Sequence, residues 1–113
     1  MKELNHEQFK VTDDEKGNVN ISGILRLNGL SEYKEINEIL DNCINFDGPS
    51  TVNLKKLEFL NSSGITMLSK MILTARKKGD KKLILLGSTK VLWQVKSLKN
   101  LKRLMPNLEL IYE

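Results

Sequence analysis

The sequence predicts a single α/β domain: a mostly parallel sheet of about five strands, an N-terminal antiparallel hairpin and three to four helices. Three observations carry that prediction. Apolar residues alternate at period 2 through two N-terminal segments separated by the turn Lys16-Gly17-Asn18. Further along, segments of helical spacing alternate with short apolar runs, the order of repeated β and α units that builds a parallel sheet. A chain of 113 residues, 40% apolar and 28% charged, suits one ordinary hydrophobic core.

Phe9 and Val11 alternate with polar neighbours and predict the first strand. Val19, Ile21, Gly23, Leu25 and Leu27 continue the alternation after the turn and predict the second, paired with the first as a hairpin. Tyr33, Ile36, Leu40 and Ile44 then recur at helical spacing, with Asn28 or Ser31 as candidate caps. Asp47-Gly48-Pro49 breaks the chain before a third strand over Thr51–Leu54, which leads through Leu57, Phe59 and Leu60 into a second helix. That helix begins at Asn61-Ser62-Ser63-Gly64. Ile65, Leu68, Ile72 and Ala75 form its apolar stripe, and Met67 and Met71 widen it. Arg76, Lys77 and Lys78 suit its last turn and Gly79 its end. Leu83–Leu86 reads as a strand covered on both faces. Val91, Val95, Leu98, Leu101 and Leu104 predict a last helix stopped by Pro106, and Leu108–Tyr112 a closing strand.

Composition excludes several functions. No stretch approaches the roughly 20 apolar residues that cross a bilayer, and Met1–Lys10 lacks a signal-peptide core, so a cytoplasmic protein without a membrane role is expected. The single Cys43 rules out an internal disulfide and falls near the apolar stripe of the first helix, as a buried structural thiol does. His6 is the only histidine and lies in a polar segment half a chain from the serines, which speaks against a Ser-His-Asp triad. There is no metal-ligand spacing, no P-loop and no G-x-G-x-x-G, so neither a cofactor nor catalysis is expected. Glu32, Glu35, Glu38 and Asp41 fit a solvated helix face, and Met67 and Met71 fit core filler. Trp93 lies off its helix's stripe, where either a contact surface or alternative packing accounts for it.

Charge divides unevenly. Residues 1–54 carry a net −5 and residues 55–113 a net +9. The basic half offers a field for nucleic acid or for an acidic protein surface. A solvated lysine-rich face explains the same residues, and an aromatic content of 5% speaks against base stacking.

The most informative run is Asn61-Ser62-Ser63-Gly64, where two hydroxyls sit on the opening turn of a helix. That turn carries unpaired N–H groups and the positive end of the helix dipole, a place where phosphate is readily accommodated. Asn61 and Ser62 are also both good N-caps, and capping alone explains either. Gly64 is a poor helix former in the first turn, so something is expected to approach the backbone closely there.

The extended run Asn53-Leu54-Lys55-Lys56-Leu57-Glu58-Phe59-Leu60-Asn61-Ser62-Ser63-Gly64 resembles the signature of STAS-domain anti-sigma factor antagonists at all but one of its twelve positions. The element order from about residue 7 to residue 112 is similar too, and Gly23 resembles the glycine that ends the family's second strand. The resemblance implies a STAS-like domain that switches partners. Ser62, the first serine of the run, would be phosphorylated by an anti-sigma serine kinase and dephosphorylated by a serine phosphatase. Asn61, Ser62, Ser63, Gly64, Ile65 and Thr66 would meet the partner, together with the exposed side of the helix as far as Lys78. The domain would be a substrate and binding module rather than an enzyme. Asn61 departs from the family's aspartate, and Arg26 stands where many relatives are acidic. An unphosphorylated scaffold is the alternative reading, and nucleic-acid binding through the basic half a remote one.

Overall fold

The computed structural model describes residues Met1–Glu113. Its elements run β1 (Lys2–Asn5), β2 (Phe9–Asp13), β3 (Asn18–Leu25), α1 (Gly29–Glu32), α2 (Lys34–Ile44), β4 (Ser50–Asn53), β5 (Leu57–Leu60), α3 (Ser62–Arg76), β6 (Leu83–Gly87), α4 (Leu92–Lys102) and β7 (Glu109–Tyr112). The seven strands form one mixed sheet in the order β1-β2-β3-β4-β6-β7, with β5 paired to β3. β1, β2 and β3 are antiparallel. Every other pairing is parallel. The expected α/β architecture, with its N-terminal hairpin and four helices, is therefore present.

Two strands exceed the expectation, each for a physical reason. Lys2–Asn5, which reads as a polar lead-in, pairs with β2 as an edge strand; main-chain hydrogen bonds suffice there, with only Leu4 packed against the core. The strand expected over Thr51–Leu54 is β4, and the lead through Leu57, Phe59 and Leu60 forms a further strand, β5, because β3 changes neighbours. Asn18–Asn20 pair with β4, and Gly23–Leu25 pair with β5 after a register shift at Gly23. Gly23 has φ +96°, and the Gln8 carbonyl occupies the place a side chain would take. This switch carries β5 to the start of α3.

One face of the sheet is the core. Val11, Ile21, Val19, Val52 and Leu85 lie in register across β2, β3, β4 and β6, all of them buried. The long helices cover this face, as shown by Leu98 of α4 against Gly87 and by the single cluster of 26 buried residues that spans helices and strands. The other face carries Thr12, Asn20, Thr51 and Asn53, none of them fully buried. Ile84 and Leu86 share that open face and are only half-buried, so β6 is covered on one side rather than two.

The helices differ in detail from the periodicity. Neither Asn28 nor Ser31 caps α2, whose N-cap is Tyr33; the Asn28 side chain makes no capping bond to α1. In α4 the inward residues are Gln94, Leu98 and Leu101, while Val95 is exposed. The buried Gln94 amide is fully used. Its Nε2 donates to the carbonyls of Leu54 and Leu57, and its Oε1 accepts the Ser88 N–H at 2.7 Å. A polar residue thus takes the inward position that apolar spacing gives to Val95. Trp93 Nε1 donates to the same Leu57 carbonyl at 2.8 Å, so its ring packs instead of standing free.

Candidate functional site

The Ser62 turn lies at the C-terminal end of β5, where β3 also ends in register, Leu25 opposite Leu60. Of the two candidate caps, Asn61 holds the position. Its φ of −84° and ψ of 178° are extended, and its Oδ1 accepts the Gly64 N–H at 3.0 Å. The same oxygen accepts the Tyr33 hydroxyl at 2.6 Å, while Nδ2 donates to the Leu27 carbonyl at 2.8 Å. The Leu27 N–H donates in turn to the Tyr33 oxygen at 3.3 Å, and the Asn61 N–H to the Leu25 carbonyl at 3.1 Å. One carboxamide therefore fastens the end of β3, the start of α2 and the start of α3. Burial pushes the Tyr33 phenol above its ordinary value, partly offset by the Leu27 N–H, so the group stays a neutral donor.

This node uses both halves of the amide, which gives residue 61 a physical reason to be asparagine. A carboxylate would keep the bonds to Gly64 and Tyr33. It would also set an acceptor against the Leu27 carbonyl, where a donor now stands.

Gly64 answers the expectation of a close approach, and the group that approaches is internal. A Cβ at this position would overlap the Leu60 side chain and come within 3.0 Å of the Tyr33 hydroxyl. The glycine lets the first turn of α3 settle on β5 and Tyr33.

Above the node the serine side chains are not tied into it. Ser62 is the first helical residue and is exposed, and Ser63 is half-buried. Thr66 Oγ1 donates to the Ser62 carbonyl at 3.1 Å, and the Ser62 hydroxyl takes no part in that bond. Ile65 is half-buried and Thr66 exposed. No acidic side chain occupies the first turn. Ser62, Thr66, Ser69, Leu73 and Lys77 share the outward stripe of α3, opposite the buried Met67, Leu68, Met71, Ile72 and Ala75. Leu30 of α1 and Phe59 of β5 add exposed apolar surface beside the turn.

Sequence reasoning missed Tyr33 and Leu27 as parts of this site, because both read as members of apolar stripes. The Asn28-Gly29 pair between them is the one local signal that the chain turns there. The residues set aside as chemistry stand elsewhere. His6 stacks on Phe9 between β1 and β2, with ring centroids 4.6 Å apart. Cys43 is buried in α2 with its Sγ directed at the Gly17 carbonyl, and burial raises its thiol above the ordinary value, which disfavours a nucleophilic thiolate. No helix is long and apolar enough to cross a membrane.

No protein-family model matches the chain, and no curated protein matches it. Solved structures do. A chain in the crystal structure of the diguanylate cyclase SiaD in complex with its activator SiaC, from Pseudomonas aeruginosa, superposes with a TM-score of 0.72 and 13% identity, over 99% of this chain and 98% of that one. SiaC of Pseudomonas aeruginosa superposes with a TM-score of 0.63 and 14% identity, over 99% and 96%. At such identities the likeness is one of fold, and it extends over essentially the whole of each chain.

Proposed function

We propose that this domain is a partner-switching regulator of the anti-sigma factor antagonist type, controlled by reversible phosphorylation of Ser62 and without catalysis of its own. The observation that carries the reading is the exposed Ser62 hydroxyl at the first position of α3, held in place from below by Asn61 and Tyr33. A hydroxyl presented this way can be modified without dismantling the core. Phosphate adds roughly −1.5 to −2 charges and three acceptor oxygens. At a helix start those charges are favourable by roughly 0.3–1 kcal/mol, so the fold tolerates the modified state while the docking face changes sign locally. The structural likeness to SiaC, the activator seen in complex with the diguanylate cyclase SiaD, supports a protein that works by binding.

The partners in this reading are a serine kinase, a serine phosphatase and the protein released or engaged by the switch, all in the cytoplasm. Asn61, Ser62, Ser63, Gly64, Ile65 and Thr66 form the turn that the partner meets. Labelling by the cognate kinase tests the assignment. Ser62→Ala should lose the label and retain its fold; labelling at unchanged stoichiometry would sink it.

One observation favours a second reading, an unphosphorylated STAS-like scaffold. The Asn61 amide is fully engaged in structure, and no carboxylate accompanies Ser62 in the first turn. Intact-mass measurement of the protein from its own cells, in growth and under stress, separates the two readings. A mass raised by one phosphate in either condition supports the switch, and an unmodified mass in both supports the scaffold.

A further inference from the structure

The face that carries Ser62 has a charge property that the switch reading does not use. Residues 59–108 contain eleven Lys and Arg and a single acidic residue, Asp80, and neither α3 nor α4 has any acid. Lys77 lies on the outward stripe of α3 and Lys70 on its exposed flank; Lys96, Lys99 and Arg103 lie on the outward side of α4 and its C-cap. All five are exposed, and none takes part in the four ion pairs of the fold. The two helices come together near their C-terminal ends, where Arg76 Nη1 donates to the Leu104 carbonyl at 3.3 Å. Like charges three and four residues apart cost a helix a few tenths of a kcal/mol per pair, so the fold gains nothing from this arrangement.

We infer that the partner of the Ser62 face presents a carboxylate-rich protein surface, which docks across the outward sides of α3 and α4. Charge complementarity requires an anion, and the apolar residues on the same helices select a protein. Leu73 is 39% exposed between Lys70 and Lys77, and on α4 Leu92 is 69% and Val95 40% exposed. A protein surface buries these side chains, whereas a phosphate backbone gains nothing from them. α3 has no aromatic residue and α4 only Trp93, half-buried and held on the Leu57 carbonyl, so the outward sides of the two helices offer bases nothing to stack on. The inference rests on the switch reading for its regulation: phosphate on Ser62 would set roughly two negative charges at the N-terminal end of the same stripe and repel the acidic partner.

An amphipathic helical peptide of repeating Glu and Leu, of about 20 residues, serves as the probe, with a duplex DNA of similar length for comparison, followed by fluorescence anisotropy at low and physiological salt. Lys96→Glu with Lys99→Glu should weaken the peptide roughly tenfold and Leu73→Ser several-fold, with thermal melts unchanged. Lys56→Glu, on the open face of the sheet beside Lys10 and Asn20, should leave binding unaltered. Equal loss from Lys56→Glu, or no peptide binding, would overturn the inference. Tighter binding of the duplex than of the peptide at physiological salt would overturn it in favour of nucleic acid. Self-association of the unmodified protein, abolished by the helix substitutions, would assign the face to a second copy. Ser62→Glu separates the two proposals. If it binds the peptide as wild type while the lysine reversals weaken it, the surface stands and the Ser62 switch falls; if Ser62 is phosphorylated in cells and no peptide binds, the surface alone falls.

Discussion

Two carboxamides do the same structural work at the C-terminal end of the sheet, and they differ in what lies above them. Gln94 is completely buried and ties α4 to the chain between β4 and β5 and to the end of β6. Asn61 is half-buried and ties the ends of β3 and β5 to α2 and α3. Beside Gln94, half-buried Trp93 donates to the same Leu57 carbonyl. Over Asn61 stand two serines on an open turn. The first node only holds the fold together, whereas the second holds it together and presents a hydroxyl. A buried polar group is therefore weak evidence of function by itself, and the functional signal at residue 61 comes from its exposed neighbour.

The sharpest test of this comparison is removal of the purely structural amide. Gln94→Leu keeps the volume and deletes every bond, leaving the Ser88 N–H without its acceptor and removing one donor from each of the Leu54 and Leu57 carbonyls. We expect a loss of about 3 kcal/mol in urea unfolding. A loss below about 1 kcal/mol would mean that water replaces the amide and that the node is not closed. Gly64→Ala comes next. Alanine improves helix propensity by about 1 kcal/mol, yet its methyl overlaps Leu60 and crowds the Tyr33 hydroxyl, so a net loss of about 2 kcal/mol is expected. A neutral or stabilised Gly64→Ala would show that Leu60 moves aside freely and that the turn is looser than its hydrogen bonds imply.

The contrast also shows what a sequence discloses. Alternation through Val19–Leu25 and helical spacing through Ile65–Ala75 reveal the hairpin and α3, because apolar burial dictates those patterns. Asn61-Ser62-Ser63-Gly64 stands out since capping residues and a helix glycine cluster at one junction. Gln94 is hidden, because the apolar period assigns its inward position to Val95. Tyr33 is hidden for the opposite reason: its ring fits the apolar stripe, and nothing local reveals that its hydroxyl reaches across 28 positions to Asn61. β1 and β5 are equally hard to read, because edge pairing and a strand that changes partners rest on main-chain bonds rather than side-chain period.

Tyr33→Phe probes the Asn61 node alone. It leaves the Gly64 cap intact, removes one of two bonds to Asn61 Oδ1 and leaves the Leu27 N–H without an acceptor, for a loss of about 1 kcal/mol at neutral pH. The pH dependence follows from the raised phenol. The folded state holds the Tyr33 proton more tightly than the unfolded chain, so this contribution is fully present below the unfolded value of about 10 and is lost as pH rises through the folded value. The stability advantage of wild type over Tyr33→Phe should therefore be flat to about pH 10 and shrink above it. Measuring the difference between the two proteins cancels the contributions of Cys43, whose thiol burial raises, and of Lys81, whose ammonium burial lowers. An advantage that grew above pH 10 would contradict a buried, neutral hydroxyl.

The smallest expected effect on stability carries the most functional weight. Ser62→Ala should change stability by less than about 0.5 kcal/mol, because the fold leaves this hydroxyl in solvent. Ser62→Glu should stabilise by roughly 0.3–1 kcal/mol at low salt, and the gain should fade as salt screens the helix end. Gln94→Glu places the same charge inside the closed node, where it also loses an amide donor, and should destabilise by several times that amount. The opposite signs of one charge at the two nodes would show that the Ser62 turn accepts an anion within an intact fold, as a phosphorylation switch requires. A Ser62→Glu protein destabilised by more than about 1 kcal/mol would place the cost of the charge in the fold itself. Phosphorylation would then act by loosening α3, and docking at an unchanged surface would no longer describe the switch.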